Sequence, residues 1–287
     1  MKIPYSVNCN GRLLSFSKPI VMGILNVTPD SFFDGKKNKT VDEILSQTEK
    51  MIQEGATIID IGGMSSKPGA QEISVQEEMD RVLPVLQILK KKFSEIFFSI
   101  DTTKSEIALE SFKYGADIIN DISAGQWDKN MLNIIAENNI PYIAMHIQGK
   151  PENMQDKPMY NNVCLEICDF FIEKIEECKQ KNIHDFILDV GFGFGKSVIH
   201  NFELLKNLSL FKNLQKPILV GISRKSMICK PLKVNSANAL NGTTALHILA
   251  LQNGANILRV HDVKEAIECI KLYEIYNDIS NSMDESL

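Results

Sequence analysis

The feature that most constrains this chain is an alternation, repeated eight times, of short β-branched apolar runs with longer amphipathic stretches. The runs are PIVMGILNV (19–27), ATIIDIGG (56–63), IFFSID (96–101), ADIINDIS (116–123), PYIAMH (141–146), DFILDVG (185–191), PILVGIS (217–223) and NILRVHD (256–262). Near-continuous apolar runs of this length suit strands covered on both faces, as in a parallel sheet. Between them, stretches such as 40–55, 75–93, 163–181 and 237–254 carry helical spacing, and Gly55, Gly115 and Gly254 stand where a helix stops before a strand. Eight such units predict an α/β fold, a closed (β/α)8 TIM barrel. Upstream, Asn10-Gly11 between apolar arms predicts a β-hairpin, placed to cap the barrel bottom. The expected organisation is one domain over 1–287: hairpin 1–18, barrel about 19–279 closed by a helix at 262–279, and a frayed polar tail 280–287.

Composition narrows the partners. A formal net charge of −5 argues against a nucleic-acid footprint, which needs a basic face. No apolar run reaches the roughly 20 residues of a membrane span, and the N-terminus lacks a signal-peptide core, so a cytoplasmic location is expected. The six cysteines are scattered, without Cys-x-x-Cys or Cys/His clustering, which speaks against disulfides or zinc. Cys164 and Cys168, four apart in a helical stretch, read as helix packing. Lys90-Lys91-Lys92 reads as a solvated helix end favoured by the dipole.

Barrel active sites lie at the C-terminal ends of the strands. Here those ends offer Asn26, Asp60, Asp101, Asn120 with Asp121, His146, Asp189, Ser223-Arg224-Lys225, and Arg259 with His261. For Asp60 and Asp121 a capping or core role reads at least as well; the ring as a whole points to an enzyme or a small-molecule binder. Asp101, Asn120 and Asp189 suit a flat heterocycle with adjacent N–H donors. Lys67, Arg259 and His261 suit a phosphate or pyrophosphate, helped by helix N-termini at the same mouth.

Two motifs mislead. GFGFGKS (191–197) lacks the phosphate-loop glycine five positions before Gly195, where Val190 stands, and it does not fit G-x-G-x-x-G. It reads instead as a flexible strand-to-helix loop that lets backbone and Phe194 approach a ligand. No nucleophile elbow, His-Glu-x-x-His pattern or triad signature is present, so transfer through a protein nucleophile is not expected.

GILNVTPDSF (23–32), DIGGMSSKPGA (60–70), SIDTTKSE (99–106), IINDISAG (118–125), MHIQGKP (145–151), LDVGFGFGK (188–196), GISRKSM (221–227) and RVHDVKE (259–265) together resemble the dihydropteroate synthase family of pterin-binding barrels, in that family's order. The resemblance spans about 20–270. It implies condensation of 6-hydroxymethyl-7,8-dihydropterin pyrophosphate with p-aminobenzoate by a dissociative route, assisted by Mg2+, in a homodimer. It further implies a pterin site of Asp101, Asn120, Met145, Asp189, Phe194, Gly221, Lys225 and Arg259. Asn26 corresponds to the metal ligand, and Asn26, Ser66, Lys67, Arg259 and His261 to the pyrophosphate site. Phe33, Ser66, Lys67, Pro68, Lys225 and Ser226 correspond to the p-aminobenzoate site. Lys225, Arg259, His261 and Asp101 are the residues expected to carry catalysis.

The chain departs from the family pattern at Met64, where a glutamate is usual, and at Lys67, where arginine's two-pronged geometry is lost. Ser105 and Val190 replace prolines, a change expected to alter loop stiffness more than chemistry. Two alternatives share the barrel: a pterin-dependent corrinoid methyltransferase, which has no need of Ser223–Ser226 and Arg259–His261 together, and a non-catalytic pterin-binding barrel disabled at Met64 and Lys67.

Overall fold

The computed structural model describes residues 5–27, 40–64, 69, 73–156 and 158–278. Eight parallel strands close into a barrel. In chain order they are β3 (Ile20–Asn26), β4 (Ile58–Gly62), β5 (Phe97–Asp101), β6 (Ile118–Asp121), β7 (Tyr142–Met145), β8 (Phe186–Asp189), β9 (Ile218–Val220) and β10 (Ile257–Val260), with β10 pairing back to β3. Each lies within an expected run. The shift to helix after each strand follows local chemistry. Thr40 begins α1 (Val41–Gln53) with a reciprocal capping box to Glu43, and Ser74 caps α2 (Val75–Lys92). Gly55, Gly115 and Gly254 take φ of 105°, 97° and 103°, the left-handed turn that releases the chain into the next strand.

Side chains alternate across a strand, so residues two apart share a face. One parity faces the helices: Ile59, Ile61, Phe98, Ile100, Leu188 and Val220 join the main core. The other faces the barrel axis. At the N-terminal end, Met22, Ile58, Ile118, Ile143, Ile187 and Leu219 close on one another and on the hairpin. That hairpin, β1 (Ser6–Cys9) and β2 (Arg12–Ser15), inserts Val7, Cys9, Leu14 and Phe16, each at most 4% exposed, as a plug. At about 25 cal/mol per Å2, burying side chains of this size contributes roughly 2 kcal/mol each, which offsets the entropy of ordering the hairpin.

Lys90 departs from the solvated reading. Its ammonium lies 2.7 Å from Asp117, and Arg12 reaches the same carboxylate at 2.7 Å. A buried carboxylate needs such partners, so this pair ties α2 and the hairpin to the strand below. Cys164 is buried in the main core and the partly buried Cys168 packs against it, as a packing role requires.

His247, in α8 (Leu240–Gln252), is 1% exposed, and neither ring nitrogen has a hydrogen-bond partner among the described residues. Burial, opposed by Asp262, pulls its pKa down to about 4. The native ring therefore stays neutral while the unfolded ring takes a proton below about 6.5, so stability falls as pH drops between those values. At pH 5.5 the loss from this residue is about 1 kcal/mol. Urea midpoints at pH 7.5 and 5.5 measure it: the gap should narrow in His247→Leu, and an equal gap in both proteins would refute the assignment.

Candidate active site

The axis-facing parity that builds the plug continues upward into polar residues. From Ile58 it runs through Asp60 to Gly62, from Ser99 to Asp101, from Ile118 to Asn120, from Ile143 to Met145, from Ile187 to Asp189, from Leu219 to Gly221, and from Ile257 through Arg259 to His261. These residues converge on one mouth.

Arg259 is the hub. Its Nε donates to Asp60 Oδ2 at 2.7 Å and its Nη2 to Asp101 Oδ2 at 2.8 Å, and Asn120 Nδ2 donates to Asp60 Oδ2 at 3.1 Å. Asp60 is fully buried, which settles its two readings: it sits beneath the site and orients Arg259 and Asn120. Asn120 Oδ1 is buried without a hydrogen-bond partner among the described residues, an acceptor left over for a ligand. Burial pushes the Asp101 carboxyl up, against the pull of Arg259, and pushes Asp189 up against Lys225.

Lys225 completes the set. The half-buried ammonium donates to Phe192 O at 2.6 Å and sits 4.5 Å from the centre of the Phe194 ring. Burial lowers its pKa to about 8, with Asp189 opposing. A Cβ on Gly221 would stand 3.8 Å from Lys225 Nζ and 3.9 Å from Arg259 Cβ, so Gly221 is the floor between the two cations. Met145 and Phe194 form an apolar wall with Ile122, Ile147, Met154 and Trp127. Asn26 and Asp101 flank Gly62: a Cβ there would lie 3.4 Å from Asn26 Oδ1 and 3.7 Å from Asp101 Cβ.

His261 stands at the rim with Nδ1 3.1 Å from Ser223 Oγ. Desolvation by the barrel wall, and then Arg259, hold its imidazole below the ordinary range; because the residue is exposed, solvent screens that shift. Ser226, exposed, opens α7 (Ser226–Leu232) directly after Lys225. Phe33, Ser66, Lys67 and Pro68 lie outside the described residues.

Three strand-end residues do not reach the mouth. Asp121 has the opposite parity and accepts from Tyr142 Oη, Ser123 N and Gly125 N, all at 2.7 Å, which is the bland reading. His146, also of opposite parity, turns outward to Lys196. Arg224 takes φ 56° and is drawn away by a two-pronged pair with Asp262, both contacts at 2.7 Å.

The loop after β8 is braced from several sides. Gly191, Gly193 and Gly195 all have positive φ, and a Cβ on Gly191 would fall 1.9 Å from His146 O. Lys196, 2% exposed, and Asn201, 1% exposed, hold this loop; neither was singled out as a site residue in the sequence, because their partners are mostly backbone atoms and the one side chain, His146, lies 50 positions from Lys196. Of the departures, Ser105 uses the N–H that a proline would lack to bond Asp128 at 2.7 Å, and Val190 is fully buried in the main core. Nothing in the structure explains Met64.

A barrel whose mouth gathers carboxylates, an amide and two cations has known counterparts. Residues 22–261 match the family model described as pterin binding enzyme. The dihydropteroate synthase of Escherichia coli strain K12 is 46% identical over 266 residues, covering 92% of this chain and 94% of that one. The structure of the Yersinia pestis dihydropteroate synthase with a sulfonamide drug superposes with a TM-score of 0.91 at 43% identity, covering 96% of this chain and all of that one. The Xanthomonas albilineans dihydropteroate synthase with 4-aminobenzoic acid gives 0.89 at 36% identity, over 96% and 99% of the two chains. With this extent of agreement in sequence and in barrel, the chain belongs to the pterin-binding enzyme family and, within it, to the dihydropteroate synthases.

Proposed function

We propose that this protein condenses 6-hydroxymethyl-7,8-dihydropterin pyrophosphate with p-aminobenzoate, releasing 7,8-dihydropteroate and pyrophosphate, as a transferase of folate biosynthesis and a target of sulfonamides. The observation that carries the reading is the convergence of Asp101, Asn120, Asp189, Lys225 and Arg259 on one inward face. A pterin edge presents adjacent ring and amino N–H groups beside a carbonyl, which match carboxylates, the spare Asn120 oxygen and the Lys225 ammonium.

The reaction follows from where charge develops. The bond between the pterin methylene and the pyrophosphate oxygen breaks first, its electron pair leaving with pyrophosphate. The methylene cation that remains is delocalised into the ring, where Asp101 and Asp189 favour it. The neutral arylamine then attacks and loses its proton, which requires no protein nucleophile. Arg259, Lys67, Ser66 and His261 receive the leaving group. Because Arg259 Nε and Nη2 already face Asp60 and Asp101, it is preorganised and does not swing. His261, held below its ordinary range, serves chiefly as a hydrogen-bond donor. Phe33, Pro68, Ser226 and the Lys225 stem accommodate p-aminobenzoate.

Asn26 offers one neutral hard oxygen at the mouth, and no group of three acidic, histidine or cysteine ligands occurs among the described residues. That donor set fits a Mg2+ ion carried largely by the pyrophosphate oxygens. When bound, the ion supplies neutralisation of leaving-group charge. A homodimer is the proposed assembly, supported by exposed Leu272, Ile275 and Tyr276 on one stripe of α9 (Val263–Asp278). No helix among the described residues is long and apolar enough to cross a membrane, and the proposed location is the cytoplasm.

The test is a coupled pyrophosphate assay. Release should require the pterin ester, p-aminobenzoate and Mg2+ together. Undiminished release with p-aminobenzoate omitted would refute the condensation.

A further inference from the structure

Six successive carbonyls in the loop after β8 each accept a hydrogen bond from a side chain. Lys196 serves Gly191 O at 2.9 Å and Phe194 O at 3.0 Å, Lys225 serves Phe192 O at 2.6 Å, and Gln155 serves Gly193 O at 2.5 Å. Tyr160 serves Gly195 O at 2.9 Å, and Asn201 serves Lys196 O at 3.2 Å. With left-handed glycines at 191, 193 and 195, this segment forms neither helix nor ladder, so side chains satisfy what secondary structure would elsewhere.

Lys196 serves two of the six carbonyls. Its ammonium is buried behind the loop, and besides the two loop carbonyls it lies 3.3 Å from His146 O and 3.1 Å from His146 Nδ1. A buried ammonium is costly unless its protons are all taken up, and here four acceptors surround three protons. Burial lowers its pKa to about 7, with Asp189 opposing. His146 is equally committed. Burial and Lys196 lower its pKa to about 2, so its ring is a neutral acceptor, packed edge-on against Phe170 at 5.0 Å. The opposite side of the same few residues meets the substrate cavity: the Phe192 carbonyl and the Phe194 ring are the two groups that hold Lys225.

We propose that Lys196 is a positioning residue for the pterin ester, fixing from behind the loop the Phe192 carbonyl and Phe194 ring that orient Lys225. It touches no substrate, and it welds the loop after β8 to the end of β7 through His146. The proposal rests on the dihydropteroate synthase reading and deepens it. A small apolar side chain would leave three carbonyls without their cation, and the loop would shift to recover water. Arginine would keep the charge, but its planar fork cannot meet acceptors disposed around a single nitrogen.

The experiment compares wild type with Lys196→Met and Lys196→Arg, well below their unfolding midpoints, measuring pterin-ester affinity by calorimetry and KM for both substrates. In both variants the pterin-ester Kd and KM should rise about tenfold or more, and by at least about five times the change in KM for p-aminobenzoate. Binding stoichiometry should stay near one. A merely structural lysine would lower the unfolding midpoint and leave the affinity of the folded protein unchanged. Pterin affinity within twofold of wild type, or full rescue by arginine, would overturn the proposal. Should Lys196→Met fail to fold, Lys196→Gln, which retains two donors, should show the same split at about threefold or more, and its absence counts equally against the idea. A wild type that binds no pterin ester would sink the functional reading itself; a competent wild type with an indifferent Lys196→Met sinks this inference alone.

Discussion

Lys225→Ala should lower kcat/KM for the pterin ester about a thousandfold while the protein stays folded. The ammonium sits between Asp189, the Phe192 carbonyl and the Phe194 ring, at the one point where the carboxylate, the aromatic wall and the loop after β8 all meet. A preorganised charge in such a place acts in a low-dielectric cleft and costs no reorganisation at the moment of reaction. The fold should tolerate its loss, because removing a half-buried cation also removes its desolvation cost, and Asp189, the carboxylate it leaves behind, still accepts from Gly191 N at 2.8 Å. The lysine carries its own signature. With its pKa near 8, the free enzyme loses the ammonium as pH rises past that value, so wild-type kcat/KM should decline on the alkaline side. That limb should vanish in the variant. A kcat/KM within threefold of wild type, or an alkaline limb that survives, would remove Lys225 from the chemistry.

Arg259→Met should damage both activity and stability. Arg259 is 17% exposed and bridges Asp60, which is fully buried, and Asp101, at 14%. Removing one partner of a buried pair leaves charge without compensation, a loss of about 3 kcal/mol, and here two carboxylates share it. Activity should fall at least a hundredfold, since the same guanidinium aligns the inner carboxylates and faces the leaving group. The stability deficit has a definite pH dependence. Burial already holds the Asp101 carboxyl above its ordinary value against the pull of Arg259; without the cation it rises further, so the native state binds more protons and stability falls as pH rises. Chemical denaturation should therefore show a larger deficit at pH 8 than at pH 5.5. A deficit independent of pH would mean that the arginine contributes packing and not charge.

The barrel was legible because its strands are short, apolar and punctuated by glycine, and because polar residues gather at one end of each. The site was legible as a ring of strand ends, and strand parity sorts that ring. Asp101, Asn120, Asp189 and Arg259 lie an even number of residues from the plug side chains Phe97 or Ser99, Ile118, Ile187 and Ile257, whereas Asp121 and His146 lie an odd number away and face the helices. Counting strand ends without that parity placed all of them on one ring. Arg224 escaped for another reason: a left-handed residue and a carboxylate 38 positions later redirect it. Lys196 drew notice only within GFGFGKS and Asn201 not at all, since a side chain bonded chiefly to carbonyls has few partners whose identity the sequence can record. The bracing of the loop after β8 was hidden in the same way.

The hairpin plug has a further consequence for traffic. A tube corked with Val7, Cys9, Leu14 and Phe16 at its foot has its doorway at the head, so both reactants and both products pass the same threshold. A compound seated deep in such a tube has no second way out at the foot. Four apolar side chains at the far end of the molecule from any chemistry thus confine its traffic to one end.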